Sequence, residues 1–237
     1  MKLLALDTST KIAGAALMED GMLVCEANLN SGLTHSERLM PLVDQCFRLA
    51  GWQPGDLDAI AVVAGPGSFT GVRIGVATAK GMAEALGKAV IAVNTLEVLA
   101  AGFPGYAGVI APILDARRDQ VYCALYDGNQ NELLAPTPLA LDGLLAHPAV
   151  AGAQAIMFCG DGVAPHKAAI AEALGDQARF APVHLMLQRS GAAAHLAWKR
   201  LLAGQTMDPA DLLPIYLRKS SAEQVLDKKA SEAANGR

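Results

Sequence analysis

The sequence predicts an α/β fold made of two similar halves in tandem, each a mixed sheet flanked by helices. Three observations support this prediction. Short apolar segments of strand length alternate with amphipathic helical segments along the 237 residues. A glycine-rich turn, residues 65–71, connects one such strand to a helix. The order of elements in the first hundred residues then recurs more weakly after residue 108.

The first half begins with three predicted strands, at residues 2–6, 12–18 and 22–29. A helix follows, with Thr34 and Glu37 predicted to form its capping box and Gly51 to end it. The remaining elements are a strand at 59–63, a helix at 72–86, a strand at 89–93 and a short helix after Asn94. The order β-β-β-α-β-α-β-α is the ribonuclease H-like topology.

The second half is predicted to repeat this order. Strands are expected at 109–114, 120–126, 130–135 and 155–159, and helices at 141–146, 168–174 and 191–202. Two ribonuclease H-like halves in tandem are the architecture of the actin-like ATPases and sugar kinases, the ASKHA fold. We therefore expect an N-terminal subdomain at 1–103 and a smaller one at 104–219, whose last helix packs back on the first half. The polar residues 220–237 are expected to be a disordered tail.

Composition and charge limit the classes of function. Of all residues, 52% are hydrophobic, which suffices for a large core, and the net charge is −4 with no Lys/Arg cluster longer than a pair. This argues against a protein that binds nucleic acid unaided. The four cysteines are widely spaced and form no C-x-x-C motif, so we expect free thiols in the cytoplasm. No apolar run reaches membrane-spanning length, and no membrane partner is expected.

Two turns are candidates for binding a nucleotide phosphate. One follows the first strand and the other is the glycine-rich turn, and their candidate residues are Asp7, Thr8, Ser9, Gly65, Pro66, Gly67 and Ser68. In the functional interpretation, the first Asp holds Mg²⁺ through water and the turns contact phosphates. In the structural interpretation, the same residues only complete their own turns. The pattern G-x-G-x-x-x-G is neither the dinucleotide nor the P-loop motif, so both interpretations remain open.

Catalytic chemistry finds little support in the sequence. A ribonuclease H-type nuclease needs a third carboxylate at the end of the fourth strand, where Gly65 follows Ala64. Ser68 lies in G-x-S-x-x-G, which is not the nucleophile elbow. His35 has no second ligand at metal-binding spacing. We therefore expect neither catalytic residues nor a metal site.

Five segments together resemble one known family. They are Leu4-Ala5-Leu6-Asp7-Thr8-Ser9, His35-Ser36-Glu37, the Gly65–Gly75 segment, Asp115-Ala116-Arg117 and Pro214-Ile215-Tyr216-Leu217-Arg218. In this order they are similar to the TsaB (YeaZ) family, over nearly the whole chain to about Lys219. The resemblance implies a non-catalytic subunit in the synthesis of threonylcarbamoyladenosine (t6A), the modified base beside the anticodon of tRNAs that read codons starting with A. Its implied partners are the catalytic paralogue TsaD, in a heterodimer, and the small ATPase TsaE, in a ternary complex.

The resemblance also separates this chain from TsaD. TsaD holds its catalytic metal with two His four residues apart on the helix after the fifth strand, where this chain has Thr95 and Leu99. A Leu cannot ligate and a lone Thr hydroxyl is a poor ligand, so an inactive paralogue without metal or cofactor is implied. The resemblance leaves open whether ATP binds at the interface of the complex. The alternative is an actin-like ATPase or glycoprotease-like hydrolase that acts alone.

A partner surface is expected on the helices that start near His35 and Val72. The second helix is apolar almost all round, so it must be covered on both faces, either within the monomer or by another chain. The residues expected to contact TsaD, or a second copy when TsaD is missing, are His35, Arg38, Leu39, Leu42, Val43, Cys46, Val72, Arg73, Val76, Ala79 and Lys80. Transfer RNA is expected to bind only through the complex.

Overall fold

Two five-stranded mixed sheets form the framework of the computed structural model, which describes residues 1–32, 34–117 and 120–218. The first sheet contains β1 (Lys2–Asp7), β2 (Ala13–Glu19), β3 (Met22–Leu29), β4 (Ala59–Val63) and β5 (Ala89–Val93). The second contains β6 (Val109–Asp115), β7 (Gln120–Tyr126), β8 (Glu132–Ala140), β9 (Ile156–Cys159) and β10 (Ala178–Phe180).

The described helices lie between and after these strands. They are α1 (His35–Ala50), α2 (Phe69–Leu86), α3 (Thr95–Ala100), α4 (Leu141–Leu145), α5 (Pro148–Ala151), α6 (Val163–Leu174) and α7 (Ser190–Leu202). None of the helices in the described part of the chain has the length and apolar character needed to cross a membrane.

Both sheets have the same strand order. The first runs β3-β2-β1-β4-β5, and the second, taken from its other edge, runs β8-β7-β6-β9-β10. In each sheet the central strand is antiparallel to the strand that follows it in sequence and parallel to the fourth. The predicted pair of ribonuclease H-like halves, and with it the actin-like α/β fold class, is confirmed.

The first sheet is covered on both faces. On one face, α1 and α2 pack together over Leu4, Leu6 and Ile60. On the other, α7 returns from the C-terminal part of the chain and places Ala193, Ala194 and Ala197 against the sheet. The small residues of α7 allow the close approach of helix and sheet that this face requires.

Two side chains of β3 hold the N-terminus of α7. The Glu26 carboxylate accepts hydrogen bonds from the Gly191 amide (3.0 Å) and from the Arg189 guanidinium (3.0 and 3.2 Å). Asn28 Oδ1 accepts from the Ser190 amide (3.0 Å) and hydroxyl (2.7 Å). Burial alone would raise the pKa of Glu26, but the hydrogen bonds from Arg189 and Gly191 lower it. These contacts satisfy helix N–H groups that have no partner within the helix.

The structure corrects several element predictions. Thr34 makes no side-chain cap, because its backbone carbonyl rather than its hydroxyl accepts the Glu37 amide. The strand β8 extends to Ala140, and α6 starts at Val163, earlier than predicted. The predicted tail, 220–237, lies outside the described residues.

Candidate functional site

A cleft of about 1090 Å³ lies between the two halves, at the carboxyl ends of their central strands. Turns from both halves and the C-terminal segment line it, at Ser9–Lys11, Pro66–Thr70, Leu114–Arg117, Asp161 and Ile215–Arg218. Crevices at the carboxyl ends of strands are the usual ligand sites of α/β folds. Of the predicted phosphate residues, Ser9, Pro66, Gly67 and Ser68 line the cleft.

Asp7 lies beneath the floor of the cleft and does not line it. Its side chain is 0% exposed. Its Oδ1 accepts hydrogen bonds from the Ser9 amide and hydroxyl, both 2.8 Å, while its Oδ2 has no partner among the described residues. Burial raises its pKa to about 6, against the lowering effect of the Ser9 hydrogen bonds. Thr8 is equally buried, and its hydroxyl donates to the Gly71 carbonyl (2.7 Å).

The two candidate phosphate turns are bonded to each other. The Ser68 amide donates to the Ser9 carbonyl at 2.7 Å. A Cβ at Gly67 would collide with that carbonyl, and one at Gly71 with the Thr8 carbonyl. The Ser68 hydroxyl caps α2 by accepting from the Gly71 amide.

This arrangement does not fit a bound Mg²⁺–nucleotide. The amide of Ser68 that would face a phosphate is already used, and the Asp7 carboxylate is sealed from the cleft. The geometry agrees with the interpretation in which these residues complete their own turns.

The two positions compared with TsaD lie in the interior. Thr95 is buried beside the glycine-rich turn, where its amide donates to the Gly65 carbonyl at 2.9 Å. Leu99 packs with Leu96 of the same helix against Ile110 and Leu114 of the second half. Within the described residues, no group of three or more His, Cys, Asp and Glu side chains could hold a metal ion.

Most of the predicted partner-surface residues are core residues instead. Those buried against the first sheet are Leu39, Val43, Cys46, Val72, Val76 and Ala79. The helical stripe was assigned to a partner, but within the monomer α1 and α2 already bury it against each other and the sheet. These residues are therefore buried within the monomer.

The other predicted surface residues remain at least partly accessible. Arg73 is exposed, and His35, Arg38, Leu42 and Lys80 are half-buried. His35 Nε2 lies 2.8 Å from the Thr10 carbonyl, and Lys80 Nζ donates to the Ala210 carbonyl (2.7 Å). Four exposed residues of α2, spaced three or four apart, define what we call the α2 outer face: Arg73, Ala77, Gly81 and Glu84.

A cluster that the sequence did not predict lies at the edge of the cleft. The Arg73 guanidinium sits 3.9 Å from the centre of the Phe69 ring, and its Nε donates to the Tyr216 hydroxyl at 2.8 Å. The rings of Phe69 and Tyr216 stack with their centres 5.0 Å apart. Arg73 and Tyr216 are 143 residues apart, so no local pattern could have linked them.

The comparisons with known proteins agree with one another on the family. Residues 31–225 match the family described as TsaD, tRNA N6-adenosine threonylcarbamoyltransferase. The Bacillus subtilis "tRNA threonylcarbamoyladenosine biosynthesis protein TsaB" is 35% identical over 226 residues, which cover 94% of this chain and 96% of that protein.

Two solved structures from Pseudomonas aeruginosa share the fold over nearly their whole length. One, named YeaZ, has a TM-score of 0.76 and 30% identity, over 91% of this chain and 99% of that one. The other, an uncharacterized protein with similarity to peptidase YEAZ, has a TM-score of 0.78 and 31% identity, over 92% and 99%. The chain therefore belongs to the TsaB family of tRNA threonylcarbamoyladenosine biosynthesis proteins.

Proposed function

We propose that this chain is a non-catalytic subunit that binds TsaD and activates it for threonylcarbamoyl transfer to the adenosine beside the anticodon. TsaE joins the pair in a ternary complex in the cytoplasm. The family membership supports a part in t6A synthesis.

One observation carries the non-catalytic role. Leu99 is 2% exposed and packs between the two halves. The family resemblance matches this position to a metal-binding His of TsaD. The Leu99 side chain has no donor atom, and the neighbouring Thr95 hydroxyl alone does not make a transition-metal site. The hydrogen bond between the Ser68 amide and the Ser9 carbonyl supports the same conclusion, because this amide is not available to a phosphate.

The α2 outer face is the surface proposed for TsaD. Ala77 and Gly81 are exposed, and a Cβ added at Gly81 would meet nothing within 4 Å. Small exposed residues let a partner helix approach closely. When TsaD is missing, the same face joins two copies of this chain.

In this proposal, nucleotide and tRNA bind to the complex and not to this subunit alone. The net charge of −4 supports tRNA binding only through the complex. ATP is proposed to bind at the interface with the partners, since the Ser68 amide of this chain is already used by the Ser9 carbonyl.

Reconstitution tests the proposal. TsaD and TsaE from the same organism, supplied with ATP and a threonylcarbamoyl donor, are assayed for t6A formation on tRNA with and without this chain. The chain is also assayed alone for t6A formation, ATP hydrolysis and peptide cleavage. We expect t6A only when TsaD and this chain are both present. ATP hydrolysis or peptide cleavage by the single chain would instead support the ATPase or hydrolase alternative. Formation of t6A by the single chain, or t6A synthesis that does not need it, would overturn the non-catalytic subunit role.

A further inference from the structure

The last described residues cross from the first half to the second over the mouth of the cleft. We call residues 212–218 the strap. Leu212 is 1% exposed in the core of the first half, and the Ile215 amide donates to the Ala64 carbonyl at 2.7 Å. The residues Ile215–Arg218 all line the cleft, so the strap forms one of its walls.

The strap ends on the second half. Arg218 Nη1 donates to Gln120 Oε1 at 3.0 Å and contacts the Ala116 carbonyl at 3.4 Å. Ala116 follows β6 and Gln120 begins β7, so the end of the strap reaches the central hairpin of the second sheet. The strap therefore connects the halves on the cleft side, whereas α3 connects them through the core.

Between these two ends, the strap is held by side chains at the surface. Tyr216 rests on Phe69 and accepts the Arg73 hydrogen bond, and we call these three residues the clasp. Tyr216 is 43% exposed and Phe69 37% exposed. Water can replace an exposed hydrogen bond and reach an exposed ring stack, so such contacts open more readily than buried ones.

We propose that the strap has a fixed end and a releasable end. Residues 216–218 leave their contacts together, while Leu212 and Ile215 keep theirs in the first half. This opening removes one wall of the cleft and breaks the connection between the two halves on that side. Access to the cleft is then governed by the clasp. This inference does not depend on the proposed function.

NMR relaxation dispersion on the full chain tests the proposal, because it reports opening on the microsecond-to-millisecond timescale. We expect exchange at the amides of Tyr216, Leu217 and Arg218 and at the Arg73 Nε–H, and none at Leu212 or Ile215. Tyr216→Phe keeps the ring but loses the hydroxyl, and it should raise the open population roughly three- to tenfold. Arg73→Lys should act in the same direction, since Lys lacks the planar group that lies on Phe69.

Tyr122→Phe is the matched control, because Tyr122 lines the same cleft but lies outside the clasp. The proposal is wrong if Leu212 and Ile215 exchange at the same rate as residues 216–218, since the strap would then leave as a whole. It is also overturned if no site shows exchange in the wild type and in Tyr216→Phe, or if Tyr122→Phe has the same effect as Tyr216→Phe.

Discussion

The Ser68 amide donates a 2.7 Å hydrogen bond to the carbonyl oxygen of Ser9, so the two turns that would hold a phosphate in an actin-like ATPase bind each other. Asp7 is enclosed beneath them with one carboxylate oxygen unpaired among the described residues. The chain thus keeps the fold and uses its turn residues for structure. Five predictions follow from this arrangement and from the packing around it.

Replacing Asp7 by Asn should stabilise the protein at neutral pH. Burial raises the pKa of this carboxyl from 3.8 to about 6, so the folded state prefers the neutral form. The stability this group contributes is present below pH 3.8 and is lost as the pH rises through 6. We expect a gain on the order of 2 kcal/mol at pH 7.5.

Urea unfolding at a series of pH values measures this effect. The advantage of Asp7→Asn should shrink toward zero as the pH approaches 4. Asp176→Asn, at an exposed site, serves as the control and should change the unfolding free energy little at any pH. An Asp7→Asn variant less stable than the wild type at pH 7.5 would contradict the preference of this buried site for the neutral form.

Two Gly→Ala substitutions in α2 should have opposite effects on stability. At Gly71 the added Cβ would collide with the Thr8 carbonyl, so we expect a loss of about 2 kcal/mol. At Gly81 the added Cβ meets open space, so the better helix propensity of Ala should give a gain of up to about 1 kcal/mol. Thermal unfolding of both variants gives the comparison, and equal effects would show that the turn contact at Gly71 is unimportant.

Substitutions at Val76 and Ala77, which are neighbours in α2, should have different effects: the first on folding and the second on partner binding. Val76→Glu places a charge in the core and should destabilise the monomer by about 3 kcal/mol or more. Ala77→Arg, on the α2 outer face, should leave the fold unchanged and weaken TsaD binding at least about tenfold by blocking close approach.

Calorimetric titration with TsaD and circular dichroism measure these two effects. Ala173→Arg on the exposed side of α6 is the matched control and should bind TsaD like the wild type. Unchanged affinity for Ala77→Arg would move the interface away from α2.

Glu26→Gln should loosen the docking of α7 on β3. The neutral amide loses the ion pair with Arg189 and weakens the hydrogen bond from the Gly191 amide. We expect a loss of about 1 kcal/mol, and a double-mutant cycle with Arg189→Gln should show coupling between the two. Because the pKa of Glu26 is lowered, its contribution is present near neutral pH and is lost as the pH falls through the folded-state value. Independent, additive effects of the two substitutions would contradict the pairing.

Only one of the four cysteines should react quickly with a thiol reagent in the folded protein. Cys25 is half-buried, whereas Cys46, Cys123 and Cys159 are buried. Burial raises the pKa of Cys46 and of Cys123 to about 12, and it also raises that of Cys159. Titration with a disulfide reagent should therefore detect one fast-reacting thiol in the folded protein and four in the protein unfolded by guanidinium chloride. More than one fast thiol in the native protein would show that these sites open.

The sequence predicted most of the framework because strand and helix periodicity are local. The bounds of β3, β4, β5 and β7 match exactly, since turn residues flank each apolar run. The strand β10 has only three residues, and α5 only four, so neither carries a periodic signal. The Thr34 capping box failed because the sequence gives the residue types of a cap but not the geometry at the helix start.

The candidate site was predicted less well, for a physical reason. An apolar stripe such as Leu39, Val43 and Cys46 shows that a helix face is buried, but not what covers it. The stripe was assigned to a partner, and the monomer covers it. The clasp of Phe69, Arg73 and Tyr216 depends on residues brought together only by the complete fold.

The position of α7 has a consequence for synthesis of the chain. The face of the first sheet formed by Leu3, Ala5 and Ala61 is covered by α7, which ends at Leu202, more than a hundred residues after the last strand of that sheet. During translation this face stays exposed until α7 has left the ribosome. The N-terminal half therefore cannot complete its own core before α7 has been synthesised. A nascent chain stalled before α7 would present an apolar sheet to chaperones or to other nascent chains.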